Sequence, residues 1–319
     1  MRTAEDRTYN PVTDYLDGLK WDGKPRISQF LPTVFKSEDT EINRAFGRMF
    51  LIGAAARAYR PGCKLDTMPI SKGGQGTKKT TAWQTLFGEE YVTGSVTKFS
   101  GEQTAQALQG IWAVDLGELE ALNTSVLTVK NFISLQRDRY KPPYGRHYIW
   151  RPRRMVFVGD TNEDEFLRDP TGARRFWPFD CNGVDIDLLT RHRNQLWAEA
   201  VRALKEGEQW WIDRGSHLDK LATEVQKASF KEDAWAGRID VFLTSPATVE
   251  RHCVTIDEIE KALGLSPDRI DDKSETRIAG HLKHLGWWKR KCMRHSQNRN
   301  WWFPPDSPET FKQGRPRGA

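Results

Sequence analysis

A chain of 319 residues, 38% hydrophobic and 29% charged, is long enough for one large or two modest domains with real cores. No apolar run approaches the ~20 residues that span a bilayer, and the opening MRTAEDRTYNP carries no apolar segment behind its charges, so no secretory signal is expected. The formal charge of +6 permits a polyanionic partner without demanding one.

The four cysteines, Cys63, Cys181, Cys253 and Cys292, form no C-x-x-C pair. That argues against a zinc site or disulfide framework and for a reduced, cytoplasmic setting. Thirteen tryptophans is a high count, with WW pairs at 210, 287 and 301. Core packing accounts for most of them, and stacking platforms for a few.

Residues 11–60 read as helical. PVTDYLDGL has apolar residues at helical spacing behind a proline, and TEINRAFGRMFLIGAAARAYR aligns Ile42, Phe46, Phe50, Ile52 and Ala56 on one face. LDTMPI leads into a glycine-rich loop, and TTAWQTLFG continues as a helix. After EYVTGSV and a helical GEQTAQALQG, the run IWAVDLGEL is a buried strand ending in acids. TSVLTVKNFISL is helical, DRYKPPYGRHYIWRPRR is a basic hairpin with its turn near Pro143, and MVFVGDTN is a second buried strand. The alternation predicts an α/β fold with a largely parallel sheet.

Beyond residue 183 the pattern turns helical, with LLTRHRNQLWAEAVRALKEG a long amphipathic helix. From about 238 a small separate unit is expected. Thr255 and Glu258 have capping-box spacing, a second helix carries Arg277, His281, Lys283 and His284, and WWKRKCMR and NWWFPP are strand-like. Helix, turn, helix and β-wing is the order of a winged helix-turn-helix. Such units bind duplex DNA or mediate protein contacts.

The loop SKGGQGTKKTT is nearly a phosphate cradle. Gly73, Gly74 and Gly76 let a chain approach an anion, Lys79 and Thr80 open a helix, and Thr81 follows. Lys78 stands where the motif carries glycine, so a basic glycine-rich turn is the alternative reading. Asp115 and Glu118 end a buried strand, where an ATPase needs an acid for Mg²⁺ and an acid for the attacking water; an acid-capped helix start is the alternative. Asn162 ends the next strand and can orient that water. Arg174 and Arg175 in DPTGARRFWPFD can stabilise charge at a neighbouring subunit's site, or pair structurally with Asp169.

Taken in order, YNPVTDYLDGLKWDGKPRI, RAYRPGCKLD, the glycine loop, DRYKPPYGR, FVGDTNEDEFLRDPTGARRFWPF and QLWAEAVRALKEGEQWW resemble the virulence-associated protein E family. These are helicase-like replication ATPases of prophages and phage satellites, similar to superfamily 3 helicases. The likeness covers roughly residues 9 to 211 and is most specific from 138 to 179. It implies an AAA+-like P-loop core that binds ATP and Mg²⁺ and assembles into a ring on DNA, most simply a hexamer, in a bacterial cytoplasm. It puts Lys79 and Thr80 in Walker A, Asp115 and Glu118 in Walker B, Asn162 in sensor 1, and Arg174 and Arg175 in the arginine-finger region. Lys78 departs from the family's loop. No primase-like region precedes these motifs, so priming is not expected.

The basic hairpin lies where superfamily 3 helicases carry a DNA-gripping β-hairpin. Cations that follow phosphates and aromatic faces that stack bases give sequence-tolerant binding of single-stranded DNA, with Lys141, Tyr144, Arg146 and His147 expected at the tip. A solvated basic loop or a subunit-packing segment is the alternative. The expected organisation is a helical segment over 1–62, a P-loop core over 63–183, a helical extension over 184–237, a winged helix over 238–305 and a mobile tail over 306–319. The expected function is a DNA-dependent ATPase and helicase. Its rivals are a catalytically impaired DNA-binding initiator or interference factor, and a defence NTPase.

Overall fold

The computed structural model describes residues 10–94, 96, 99, 101–118, 126–143, 145–162, 173–229, 235–265, 271–294 and 297–307. The chain divides into two compact units, Met1–Phe230 and Lys231–Ala319.

The first unit opens with helices whose ends the sequence caps itself. Pro11 starts helix α1 (Pro11–Asp17), and the Asn10 side chain accepts from the Val12 amide at 3.2 Å. A short α2 (Phe30–Val34) precedes α3 (Glu41–Tyr59), whose first turn is capped by Thr40 accepting from Asn43 N at 3.3 Å. There follow β1 (Met68–Lys72), α4 (Lys79–Phe87), β2 (Val92–Thr93), α5 (Glu102–Ala107), β3 (Ala113–Glu118), α6 (Val126–Ile133), β4 (Arg137–Tyr140), β5 (Ile149–Pro152), β6 (Val156–Thr161), β7 (Phe176–Asp180), α7 (Ile186–Lys205) and α8 (His217–Ala228).

Five of these strands form one parallel sheet in the order β2-β3-β6-β1-β7. β6, late in the chain, therefore pairs on one side with β3 and on the other with β1. In β6, Val156 and Val158 face α3, α4 and α7, while Phe157 faces the opposite layer of α5 and α6. Both faces are covered, which explains the near-continuous apolar runs in the central strands.

β7 is an element the sequence conceals: residues 176–180 stand there as an aromatic cluster beside two arginines. Pro178 cannot donate a ladder hydrogen bond, so an edge position is the one open to it. Among the described strands, β7 pairs with β1 alone.

Tryptophan supplies much of the core. Trp177 stacks on Phe46 with centroids 4.8 Å apart, and Trp112 lies 4.4 Å from Trp197. The buried indoles of Trp112 and Trp197 donate to the carbonyls of Ala54 at 3.2 Å and Leu86 at 2.9 Å, so neither pays for an unmet donor.

β4 and β5 form a separate antiparallel ribbon, with Asp138 opposite Arg151 and Arg139 opposite Trp150. Its root is a buried ion pair. Arg153 donates to Asp138 through Nε at 2.9 and 3.0 Å and Nη2 at 2.7 Å, and through Nη1 to the Phe132 carbonyl at 2.5 Å. The guanidinium also lies 4.4 Å from the centre of the Phe132 ring.

The second unit contains α9 (Ala236–Leu243), α10 (Pro246–Arg251), α11 (Ile256–Leu263), α12 (Asp272–His284) and an antiparallel ribbon of β8 (Trp288–Arg294) and β9 (Gln297–Phe303). α11 starts with the reciprocal Thr255–Glu258 capping box. Ile239, Val254, Ile259, Ile278, Leu282 and Trp302 form its main core. Among the described residues, no helix is long and apolar enough to cross a membrane.

Removing Asp138 leaves the Arg153 guanidinium buried without its carboxylate. Asp138→Ala is therefore expected to destabilise the first unit by about 3–5 kcal/mol, and a loss below ~1 kcal/mol in urea melts would contradict the pairing.

Candidate functional site

The glycine-rich loop joins the carboxyl end of β1 to α4, so its amides converge at the amino end of a helix, an arrangement suited to anions. Gly73 donates to the Thr161 carbonyl at 3.1 Å, tying the loop to β6. A Cβ on Gly73 would collide with the Cys181 carbonyl, so a side chain is excluded there by close approach. At Gly74 and Gly76 the corresponding space is open.

Lys78 caps α4 with φ 63° and ψ 27°, the left-handed conformation that glycine adopts freely. The cost to an L-residue is about 1–2 kcal/mol. The Lys78 side chain is exposed. The substitution imposes strain and does not fill the cradle.

Lys79 points inward and is 7% exposed. Its ammonium donates to the Gly73 carbonyl at 2.5 Å, to Asn162 Oδ1 at 3.2 Å and to the Thr161 carbonyl at 3.3 Å. The Asp115 carboxylate accepts from Gly117 N at 2.9 Å and lies near the Thr80 hydroxyl. Burial pushes the Asp115 carboxyl up to about 6, and the Asp160 charge adds to the rise; the Gly117 hydrogen bond and the nearby Thr80 hydroxyl oppose it.

A cavity of about 250 Å³ opens at the loop, with Thr77, Lys78, Lys79, Thr80, Asp160 and Asn162 in its wall. Lys79, Thr80, Asp115 and Asn162 are thus brought together from three segments of chain. Thr81 is exposed on the first turn of α4. Glu118 ends β3, in register with Asp160; its side chain lies outside the described residues.

The arginines and the hairpin lie away from this cavity wall. Arg174 is exposed, while Arg175 donates to Ser134 Oγ at 2.7 Å and pairs with Asp66 at 3.6 Å. Asp169, the partner considered from sequence, lies outside the described residues. Lys141, Arg146 and His147 are exposed in the connection between β4 and β5; Tyr144 lies outside the described residues. Along the ribbon itself, Arg137 covers Trp150 at 4.2 Å and Arg139 covers Tyr148 at 4.8 Å, with both aromatic side chains more than half exposed.

Asp160 is a site residue that no sequence motif marks. Its signal is the two-residue alternation from Val156 and Val158, which puts it on the same face, two places before Asn162.

Among the described residues, no cluster of three or more His, Cys, Asp or Glu side chains could hold a metal ion. The Thr80 hydroxyl and Asp115 carboxylate are instead a small all-oxygen set, suited to a hard divalent cation that takes its other ligands from phosphate and water.

A helix-covered parallel sheet with a glycine loop at its carboxyl edge defines an α/β protein. The virulence-associated protein E-like domain matches residues 16–231, and the chain belongs to that family. Among solved structures it is similar to the A form apo structure of the NrS-1 C-terminal region, with 15% identity and a TM-score of 0.48. A second A form apo structure of that region gives 14% and 0.45, and a further apo structure gives 14% and 0.47. Each alignment covers 91% of this chain and 78% of the other. No curated protein matches the sequence.

Two stability measurements check this geometry. Lys78→Gly removes left-handed strain and is expected to stabilise the protein by up to ~1 kcal/mol; a loss of stability would contradict the assigned conformation. For Asp115, a folded value of about 6 against an ordinary 3.8 means the fold binds more protons than the unfolded chain between those pH values. The resulting penalty is absent below the unfolded value and fully present above about pH 6. Asp115→Asn should therefore raise apo stability at pH 7.5, by on the order of 3 kcal/mol at most, with the advantage vanishing towards pH 4. Melts that show a pH-independent difference would exclude a strained carboxylate.

Proposed function

We propose that this chain is an ATP-hydrolysing motor that acts on single-stranded DNA during replication of a prophage or phage satellite. The observation that carries the reading is the convergence of the Lys79 ammonium, the Thr80 hydroxyl, the Asp115 carboxylate and the Asn162 amide at the carboxyl edge of one parallel sheet.

In this reading the first unit is a P-loop AAA+ core. The loop amides from Gly74 to Lys79 hold the phosphates, and Lys79 exchanges its carbonyl partners for the terminal phosphate oxygens. Thr80 and Asp115 hold Mg²⁺, which when bound neutralises charge developing on the β- and γ-phosphates. Glu118 polarises the attacking water and Asn162 orients it. Arg174, exposed, is the arginine available to a neighbouring subunit's site in a ring, most simply a hexamer. Arg175, tied to Ser134 and Asp66, holds that segment in its own subunit.

The β4–β5 ribbon supplies the grip on DNA. Lys141, Arg146 and His147 reach phosphates from its connecting loop, Tyr144 is assigned a stacking role, and the exposed Trp150 and Tyr148 add stacking surface. The Arg153–Asp138 pair at its root gives the ribbon a rigid base through which movement of the core can be passed on. The second unit is a winged helix that adds contacts to duplex DNA.

The rival reading, a DNA-binding factor that has lost hydrolysis through Lys78, is weakened by the backbone itself: Lys78 adopts the conformation a glycine would. Turnover with and without single-stranded DNA, in the natural chain and in Lys79→Ala, decides between them. The motor reading predicts DNA-stimulated hydrolysis that falls at least ~100-fold in the variant, as for loss of a phosphate-stabilising cation. DNA binding with no turnover in the natural chain would favour the rival.

A further inference from the structure

Asp160 is the residue of the loop cavity to which the motor reading gives no task. It stands next to last in β6, in register with Ser71 of β1 on one side and Glu118 of β3 on the other. It is 6% exposed, yet its side chain helps to line the cavity with Lys79, Thr80 and Asn162. It is close enough to Asp115 for the two charges to repel. Two carboxylates in one buried corner beneath a phosphate cradle are costly as neighbours of a polyanion. A hard divalent cation arriving with the anion reverses that cost, because it can take oxygen from both.

We propose that Asp160 is a second cation-facing carboxylate of this site, acting with Asp115 and Thr80 to make triphosphate binding strictly dependent on a divalent cation. The inference rests on the nucleotide reading above and deepens it. Asp160 and Asp115 together offset the charges of Lys78 and Lys79, so the empty cradle does not present a net excess of positive charge to free polyphosphate. Without the cation the acids oppose the anion; with it they hold the complex.

The sign of the effect separates this role from a structural one. Affinity for a fluorescent, non-hydrolysable ATP analogue is measured by anisotropy, in Mg²⁺ and in EDTA, for the natural chain and Asp160→Asn. In Mg²⁺ the variant should bind roughly tenfold more weakly, as when a metal site loses one of its supporting oxygens. In EDTA it should bind more tightly than the natural chain, roughly threefold, because a repelling charge has gone. Weaker binding by the same factor in both conditions would make Asp160 a support for Lys79 and overturn the proposal. Unchanged binding in both would also overturn it.

The natural chain provides a test that needs no variant. Its affinity in Mg²⁺ should exceed that in EDTA by at least ~10-fold, and near-equal affinities would overturn the proposal. A chain that binds the analogue in neither condition would remove the nucleotide reading itself, a result distinct from binding that ignores Asp160.

Discussion

The insertion of β6 between β3 and β1 is the constraint from which the site follows. Parallel pairing on both sides of β6 brings Thr161 and Asn162 beside the glycine loop and Asp160 within electrostatic range of Asp115. The Lys79 ammonium then closes the arrangement, holding the Gly73 carbonyl with one bond and the end of β6 with two more. A buried ammonium needs such partners, and the carbonyls at the edge of the sheet provide them. The lysine is consequently preset: its ammonium is held by these three partners until an anion competes for it.

The same economy governs the rest of the first unit. Helices before and after the sheet, α3 and α7, share one core with α4, and the Trp112 and Trp197 indoles in that core donate to the carbonyls of Ala54 and Leu86. The β4–β5 ribbon leaves the sheet but keeps a buried ion pair at its root, so its basic and aromatic surface stands on a fixed base. Arg175 is tied to residues of two other segments, which leaves Arg174 as the exposed member of the pair.

Much of this was legible because it is local. Pro11 and Thr255 announce helix starts by their own chemistry, and the apolar runs at 113 and 156 announce buried strands. What could not be read depends on distance along the chain. FWPFD looks like loose aromatic packing until β1 offers it an edge, and only then is Pro178 harmless. Asp160 looks like a strand-ending acid until the order of the sheet brings its charge within reach of Asp115. Lys78 was legible as an exception but not in its consequence, since whether a lysine takes a left-handed conformation is decided by the loop around it.

The central claim is that the side chains gathered at this edge surround a triphosphate. A crystal structure of the chain with Mg²⁺ and a non-hydrolysable ATP analogue tests it most directly. The analogue's terminal phosphate is expected in the loop, with Lys79 Nζ moved from the Gly73 carbonyl and Asn162 onto its oxygens, and Thr80 turned towards the cation. An analogue bound elsewhere, with Lys79 still held by its three present partners, would contradict it.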